Sequence, residues 1–136
     1  MNNGRFAIAL HILILLDKAK GELLSSDYMA GSININPVMV RKELVSLKKQ
    51  GFVQSKEGKN GGASLARPAK EITLGSIYES VKHVVLLGNQ KNVPNPKCPV
   101  GKDINKHLFK LYDDTERKLI DELNQQTLAD FSSQFN

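Results

Sequence analysis

The chain has 136 residues, a formal net charge of +5 and one cysteine, a size that suits one compact domain with a modest core. A single cysteine cannot form an intramolecular disulfide, which excludes the disulfide framework of small secreted proteins. The apolar run at residues 6–16 is too short to span a bilayer and has no signal-peptide cleavage site after it, so we expect a cytoplasmic protein with no membrane partner.

A buried helix followed by a short one is predicted at the start of the chain. Residues 6–16 are apolar nearly all round, which at helical period indicates a buried helix. Ser25 and Ser26 then offer N-cap oxygens for a second helix, from about Ser26 to Gly31. The glycine is expected to end that helix.

The third predicted helix carries basic side chains. Asn36-Pro37 is a strong start, because Asn supplies a cap oxygen and Pro has the φ of the first helical position. The helix should run to Gln50 and bury Val40, Leu44 and Leu47, and its other positions are Val38, Arg41, Lys42, Glu43, Lys48 and Lys49. A short helix, a turn and a basic amphipathic helix are typical of a helix-turn-helix.

A β-hairpin is predicted directly after the basic helix. Residues 52–56 and 63–67 favour two short strands, and the turn between them contains Gly58, Gly61 and Gly62, which permit positive φ. In this position we interpret the hairpin as a wing, although a purely structural hairpin has the same pattern.

The positive charge supports the DNA-binding interpretation. Residues 1–82 hold the whole excess, and residues 83–136 carry equal numbers of basic and acidic side chains. The stretch 41–70 is the most basic, with eight basic and two acidic side chains. Such a surface suits phosphates, because each neutralised phosphate releases counterions, but an ordinary lysine-rich surface gives the same count.

The second part of the chain is expected to be helical around one loop. A helix from Leu74 to Val85 precedes a Pro/Gly-rich loop at 88–102, and a long helix follows from about Asp103 to Gln126. Its apolar stripe is too long to bury against so small a domain, so it predicts pairing with a second copy through Ile104, Leu108, Leu111, Leu119 and Leu123. Thr127 and Asp130 resemble the capping box of a last short helix through Phe135.

These elements predict a mainly α fold with a small β-hairpin. A winged helix-turn-helix domain would occupy residues 1–87, the loop 88–102 would connect it to the rest, and dimerisation helices would fill residues 103–136.

Several short motifs resemble a known family over nearly the whole chain. They are Arg41…Leu44…Leu47…Gly51-Phe52-Val53…Ser55, Gly58…Gly61-Gly62, Leu65-Ala66-Arg67-Pro68, Ile72-Thr73-Leu74…Ile77, Cys98-Pro99 and Thr127-Leu128-Ala129-Asp130. They resemble the Rrf2 family of bacterial winged-helix regulators. The resemblance implies a homodimer whose long helices cross between subunits, and repression or activation at a palindromic operator.

The resemblance also raises the question of a cofactor. Several members of the family hold an iron–sulfur cluster in this loop, some of them with three cysteines spaced C-x5-C-x5-C and a histidine three residues beyond. If Cys98 matches the middle cysteine, the other positions are Asn92, Ile104 and His107. Only Cys98 and His107 could be ligands, and such clusters depend chiefly on thiolates, so we expect no cofactor and no metal.

The predicted DNA contacts fall on the second helix, the third helix and the wing. Arg41 and Lys42 lie in the first turn and a half of the third helix, where side chains reach base edges, and Arg commonly pairs with guanine. Val38 could contact a thymine methyl group or simply be exposed. Capping is an alternative explanation for the serines, and solubility is one for the wing-tip residues Lys59 and Asn60. The other candidate contacts are Ser25, Ser26, Tyr28, Asn36, Lys48, Lys49, Lys56, Lys59 and Asn60.

Cys98 is the candidate sensor. The charges of Lys91, Lys97 and Lys102 would favour its thiolate, which could respond to oxidants or electrophiles; an inert, partly buried thiol is the alternative.

The sequence predicts a sequence-specific, DNA-binding transcriptional regulator that acts as a homodimeric repressor. It does not identify the effector, and a redox or thiol response is a further hypothesis. A winged-helix module for protein–protein association is the alternative. An enzyme is not expected, because the sequence has no Ser/His/Asp set, CxxC, HExxH or phosphate-binding glycine loop.

Overall fold

The structure, a computed structural model, describes residues 4–81, 87 and 92–136. Its elements in chain order are α1 (Arg5–Lys18), α2 (Ser26–Ile33), α3 (Pro37–Lys49), β1 (Val53–Lys56), β2 (Gly62–Leu65), a 3-10 turn (Ala69–Glu71), α4 (Leu74–Val81), α5 (Pro99–Leu123) and α6 (Leu128–Ser132). This order confirms the mainly α fold with a small hairpin and a long helix near the C-terminus. None of the helices in the described ranges is long and apolar enough to cross a membrane.

The core is built around α1. Ile12 and Leu13 are fully buried, and α1 packs against α2, α3, α4, α6 and β2. A helix that is covered on several sides needs apolar residues on several faces, which explains its nearly uniform composition. The elements around it add Val40, Leu47 and Leu128 to the same cluster.

The helix-turn-helix starts as predicted but its first helix is longer. Ser25 Oγ accepts the Tyr28 N–H at 3.1 Å, which caps α2. The prediction that Gly31 ends α2 is wrong, since the helix continues to Ile33 and Asn34 follows it with a φ of 64°. Asparagine tolerates this left-handed conformation better than most residues, so it can end a helix in place of glycine.

The wing is held on both sides of β2. β1 and β2 pair antiparallel, with Val53 opposite Leu65 and Lys56 opposite Gly62. On the other side of β2, Leu24 and Ala63 exchange backbone hydrogen bonds of 3.0 and 2.9 Å. Leu24 immediately precedes the Ser25 cap, so this bridge fixes the wing relative to the helix-turn-helix.

The wing glycines have different tasks. Gly58 has a φ of 104°, which only glycine adopts easily. Gly61 does not use the positive φ that a glycine permits; there the need is space, because a Cβ would collide with the Lys56 carbonyl oxygen. A Cβ on Gly62 would lie 2.6 Å from the Leu24 carbonyl oxygen, so the Leu24 bridge also requires a glycine.

The loop predicted at residues 88–102 ends earlier than expected, because α5 begins at Pro99. Pro99–Lys102 form the first turn of α5 rather than loop, because proline suits the first helical position, and Cys98 is the N-cap residue. At its other end α5 stops at Leu123, three residues before the predicted end. The predicted continuation of α4 to Val85 lies outside the described residues.

The C-terminal segment is hydrogen-bonded to residues around the start of α4 and packs against α1. The Leu128 N–H donates to the Ile72 carbonyl at 2.7 Å, and the Leu74 N–H donates to the Gln126 carbonyl at 3.0 Å. Thr127 and Asp130 form the predicted capping box, although α6 ends at Ser132 rather than Phe135. Because Leu128 is fully buried beside α1, α6 shares the core of the winged-helix elements.

Candidate nucleic-acid interface

The outward face of α3 mixes basic and apolar side chains. With 3.6 residues per turn, one line along the helix points away from the buried stripe. It consists of Val38, Lys42, Val45 and Lys49. Val38 is 50% and Val45 57% exposed, although neither valine has a polar group to solvate. Such a face can offer cations to phosphates and methyl groups to thymine.

Val45 was not among the predicted contacts. It lies seven residues after Val38, which is two helical turns, so the two valines share a face. The periodicity that placed Val40 and Leu47 inside could have found it, because Val45 is out of phase with the single stripe that the basic pattern of α3 leaves to be buried.

A groove of about 540 Å³ runs between α3, the start of α2 and the wing. It brings together many of the predicted residues, namely Ser25, Ser26, Arg41, Lys48, Lys56, Gly58, Gly61 and Gly62. Lys48 Nζ donates to Ser55 Oγ at 3.1 Å, which links α3 to β1 along this groove. The groove therefore combines helix, cap and wing positions that lie far apart in the sequence.

The remaining predicted contacts surround the groove. Val38, Lys42 and Lys49 occupy the outward face of α3, and Lys59 and Asn60 are exposed at the wing tip. Tyr28 is exposed on α2, and its backbone N–H donates to the Ser25 cap.

Two of the predicted contact residues already act as helix caps. Ser25 Oγ accepts from the Tyr28 N–H, and Asn36 Oδ1 accepts from the Val38 N–H at 2.8 Å. Both residues are exposed, and their donor groups, a hydroxyl and an amide NH2, are not used by the caps. Capping and phosphate contact are therefore compatible at these positions.

Glu43 does not lie on the surface, where the sequence placed it. It is only 7% exposed, and its carboxylate accepts hydrogen bonds from Arg5 Nε at 3.1 Å and Arg5 Nη2 at 2.9 Å. These hydrogen bonds raise the pKa of the Arg5 guanidinium above its ordinary value. Because Arg5 neutralises it, Glu43 opposes the basic groups of the interface less than the sequence count suggested.

α5 presents an apolar surface that its own chain leaves open. None of the residues Pro99–Leu123 is buried, and Phe109 and Leu111 are 64% and 54% exposed. The predicted pairing residues Ile104, Leu108 and Leu119 are half-buried. Leu123, by contrast, packs against the core of its own chain, so that part of the stripe is already used.

Cys98 lies half-buried at the start of α5. The backbone N–H groups of Gly101 and then Val100, which face its thiol at the start of α5, lower the pKa of that thiol. The cause is therefore the start of the helix rather than the neighbouring lysines that the sequence suggested, of which Lys91 lies outside the described residues.

Cys98 and His107 do not form a ligand set. Nine residues of helix separate them, which corresponds to roughly 13 Å along the axis. The two other positions of the family's pattern hold Asn92 and Ile104, which supply no thiolate. In the part of the chain that the structure describes, no group of three or more His, Cys, Asp or Glu could hold a metal ion.

A short helix, a turn, a basic helix and an adjoining hairpin define a winged helix-turn-helix protein. The Rrf2 family profile, described as "Iron-dependent Transcriptional regulator", matches residues 2–134. The chain belongs to the Rrf2 family, which confirms the resemblance seen in its motifs.

The relatives of the chain are transcriptional regulators. It is 38% identical over 130 residues to YwnA of Bacillus subtilis, which is classed as an HTH-type transcriptional regulator, with 96% of each chain covered. It is 30% identical over 122 residues to the HTH-type transcriptional regulator NsrR of Oceanobacillus iheyensis, over 85% of this chain and 83% of NsrR. A solved structure of a transcriptional regulator from Lactobacillus plantarum matches with a TM-score of 0.80 and 27% identity, over 96% of this chain and 88% of that chain. The chain is thus a DNA-binding transcriptional regulator of this family.

Proposed function

We propose that the chain acts as a homodimeric repressor that binds a palindromic operator, with α3 in the major groove and the wing on the neighbouring backbone or minor groove. The observation that carries the proposal is the shared groove in which Arg41 and Lys48 of α3 meet Lys56 of the wing. A helix and a hairpin that present cations on one side match the outline of duplex DNA, which accepts an α-helix in its major groove.

The side chains of α3 divide by their position along the helix. Arg41 and Lys42 lie near its N-terminal end, which approaches base edges in this class of fold, so we assign them to base contacts. Lys48 and Lys49 lie in the last turn and Lys59 at the wing tip, so we assign these three to phosphates.

The uncovered side of α5 supports the homodimer. α5 is about 37 Å long and packs against α4, yet none of its residues Pro99–Leu123 is buried, so a single chain leaves one side of it uncovered. An identical helix could cover Phe109 and Leu111 and would relate two copies of α3 by a twofold axis. Two such helices require inverted half-sites about 34 Å apart, one turn of DNA.

We further propose that this member of the family works without an iron–sulfur cluster, despite the description of the family as iron-dependent. One thiolate and one distant imidazole do not fit a cluster that needs several thiolate ligands. Cys98 is the alternative signal receiver, because its lowered pKa favours the reactive thiolate and it lies at the start of the proposed dimer helix.

A gel-shift titration tests the DNA proposal against its alternative. The protein is titrated into a duplex of its own promoter region and into a scrambled duplex of equal length, from about 50 to 200 mM salt. We expect preference for the promoter duplex and a steep fall in affinity with salt. If neither duplex is bound even at the lowest salt, the alternative of a protein–protein module is favoured. Val38, Met39 and Val45 offer exposed apolar contacts for such a module.

A further inference from the structure

We propose that Arg5 and Glu43 are positioning residues that fix the orientation of α3, and so of its DNA-reading side chains, relative to the end of α4. The inference rests on the proposed DNA-binding function. Neither residue was a candidate from the sequence, where Glu43 counted as a surface acid.

The geometry joins three helices at one guanidinium. Arg5 lies at the start of α1 and donates to Glu43 in the middle of α3 through Nε and Nη2. The same group donates from Nη1 to the Val81 carbonyl, at the end of α4, at 3.4 Å, and from Nη2 to Ser46 Oγ, also at 3.4 Å. A displacement of α3 relative to α4 therefore has to lengthen at least one of these hydrogen bonds.

The chemistry of the pair suits orientation better than stability. Only Glu43 is buried in this pair, since the Arg5 side chain is 35% exposed. Replacing a buried charge together with its partner by apolar side chains of similar volume is often neutral or stabilising, so packing alone does not require a charge at Glu43. The close packing of Val40 and Leu47 already opposes sliding of α3, but their contacts have no directional preference. A guanidinium that bonds a carboxylate through two N–H groups holds a fixed plane and distance, which restricts such sliding.

The end of α4 connects this pair to the proposed dimer helix. α4 packs against α5, and the Tyr78 hydroxyl donates to Glu116 Oε1 of α5 at 3.4 Å. A shift of α5 that moved α4 would therefore displace the Val81 carbonyl from Arg5, and Arg5 would either follow it and pull on Glu43 or lose that hydrogen bond. The pair couples the spacing of the two helices α3 in a dimer to the position of α5.

The test uses full-length variants and a charge-matched control. Glu43→Gln removes the buried acid, and Asp114→Asn removes an exposed acid that pairs with Lys110 at 3.0 Å on α5. The double variant Arg5→Met/Glu43→Leu replaces the pair by apolar side chains, so that a fold can persist even where Glu43→Gln is unstable. For each protein we would measure the thermal midpoint, the ratio of affinities for promoter and scrambled duplexes, and amide hydrogen exchange.

We expect the double variant to unfold near the wild-type midpoint but to lose at least tenfold in the promoter-to-scrambled ratio. Its affinity for scrambled DNA and its salt dependence should stay unchanged, since the phosphate-facing lysines are intact. Exchange should increase in α3 and at the end of α4 together, with α6 unaffected, and Asp114→Asn should match the wild type.

A double variant that keeps both the wild-type ratio and the wild-type exchange in α3 would overturn the inference, because the pair would then serve packing only. If the wild type itself shows no promoter preference, the proposed function fails, and the exchange data decide the positioning proposal alone. Joint loosening of α3 and α4 would then support it, and unchanged exchange would refute it.

Discussion

α3 and α5 are both amphipathic helices with exposed apolar side chains, yet they use their apolar sides in opposite ways. α3 buries Val40, Leu47 and the paired Glu43 in its own chain, so its exposed valines lie on a face that folding does not need. α5 buries none of its residues Pro99–Leu123, so its exposed Phe109 and Leu111 belong to the side that folding left uncovered. The comparison teaches that exposure alone does not assign a partner: we propose DNA for the face of α3 because basic side chains accompany its valines, and a second copy of the chain for α5 because its apolar stripe is uncovered along the helix.

The largest effect is expected from a charge placed in the apolar stripe of α5. Leu111→Asp would place an unpaired charge in the proposed dimer seam, at a cost of about 3–5 kcal/mol. We expect monomers by light scattering and greatly weakened operator binding. The control is Lys106→Asp, an exposed position of α5 outside the stripe, which should remain dimeric. A fully dimeric Leu111→Asp protein would remove Leu111 from the interface.

The next effect tests the side chains of α3 that line the groove. Arg41→Ala should cost about 1–3 kcal/mol per base contact and relax the preference at one symmetric operator position. Lys48→Ala is the matched comparison, since it should weaken all sequences alike and reduce the salt slope by about one. Selection from a randomised operator library measures both. An unchanged preference in Arg41→Ala would show that Arg41 does not read bases.

A smaller effect is expected at the wing, which extends the α3 surface. Gly61→Val would force the hairpin tip open, because a Cβ there collides with the Lys56 carbonyl. We expect roughly tenfold weaker DNA binding, about 1.4 kcal/mol, with dimerisation and salt dependence retained. Glu57→Ala, at the same exposed tip, should bind at least as well as the wild type. Full affinity of Gly61→Val would mean that the wing is not used.

The smallest effect concerns the start of α5. Because backbone N–H groups lower the pKa of Cys98, its thiolate should persist to lower pH than that of an ordinary cysteine. Iodoacetamide alkylation, followed by mass spectrometry over a range of pH, measures this. The alkylation rate of Cys98 should rise at a lower pH than that of a free cysteine peptide. Diamide treatment should then reduce operator affinity of the wild type but not of Cys98→Ser. Identical responses of the two proteins would remove Cys98 as a sensor.

Much of the fold could be predicted because its signals are local. The caps at Ser25, Asn36 and Thr127 each bond an N–H two or three residues away, and the glycine-rich turn sets the hairpin within a few residues. The candidate interface was predictable for the same reason, since the buried stripe of α3 determines which of its side chains point outward.

Where competing local signals were close in strength, the sequence was less decisive. Gly31 and Asn34 can both end a helix, and in the structure α2 continues to Ile33 and Asn34 takes the left-handed conformation. Pro99 can belong to a loop or to a first helical turn, and it begins α5.

The sequence by itself determined the class of the protein, the order of its elements and the basic face of α3, because periodicity, caps and glycines act over a few residues. Only the tertiary structure decided that Glu43 is buried, that Leu24 bridges the wing and that Leu123 joins the core of its own chain. Each of these depends on a partner far along the chain, as Arg5 lies 38 residues from Glu43. A residue's type states which partners it can accept, but only the packed fold brings one of them within hydrogen-bonding distance.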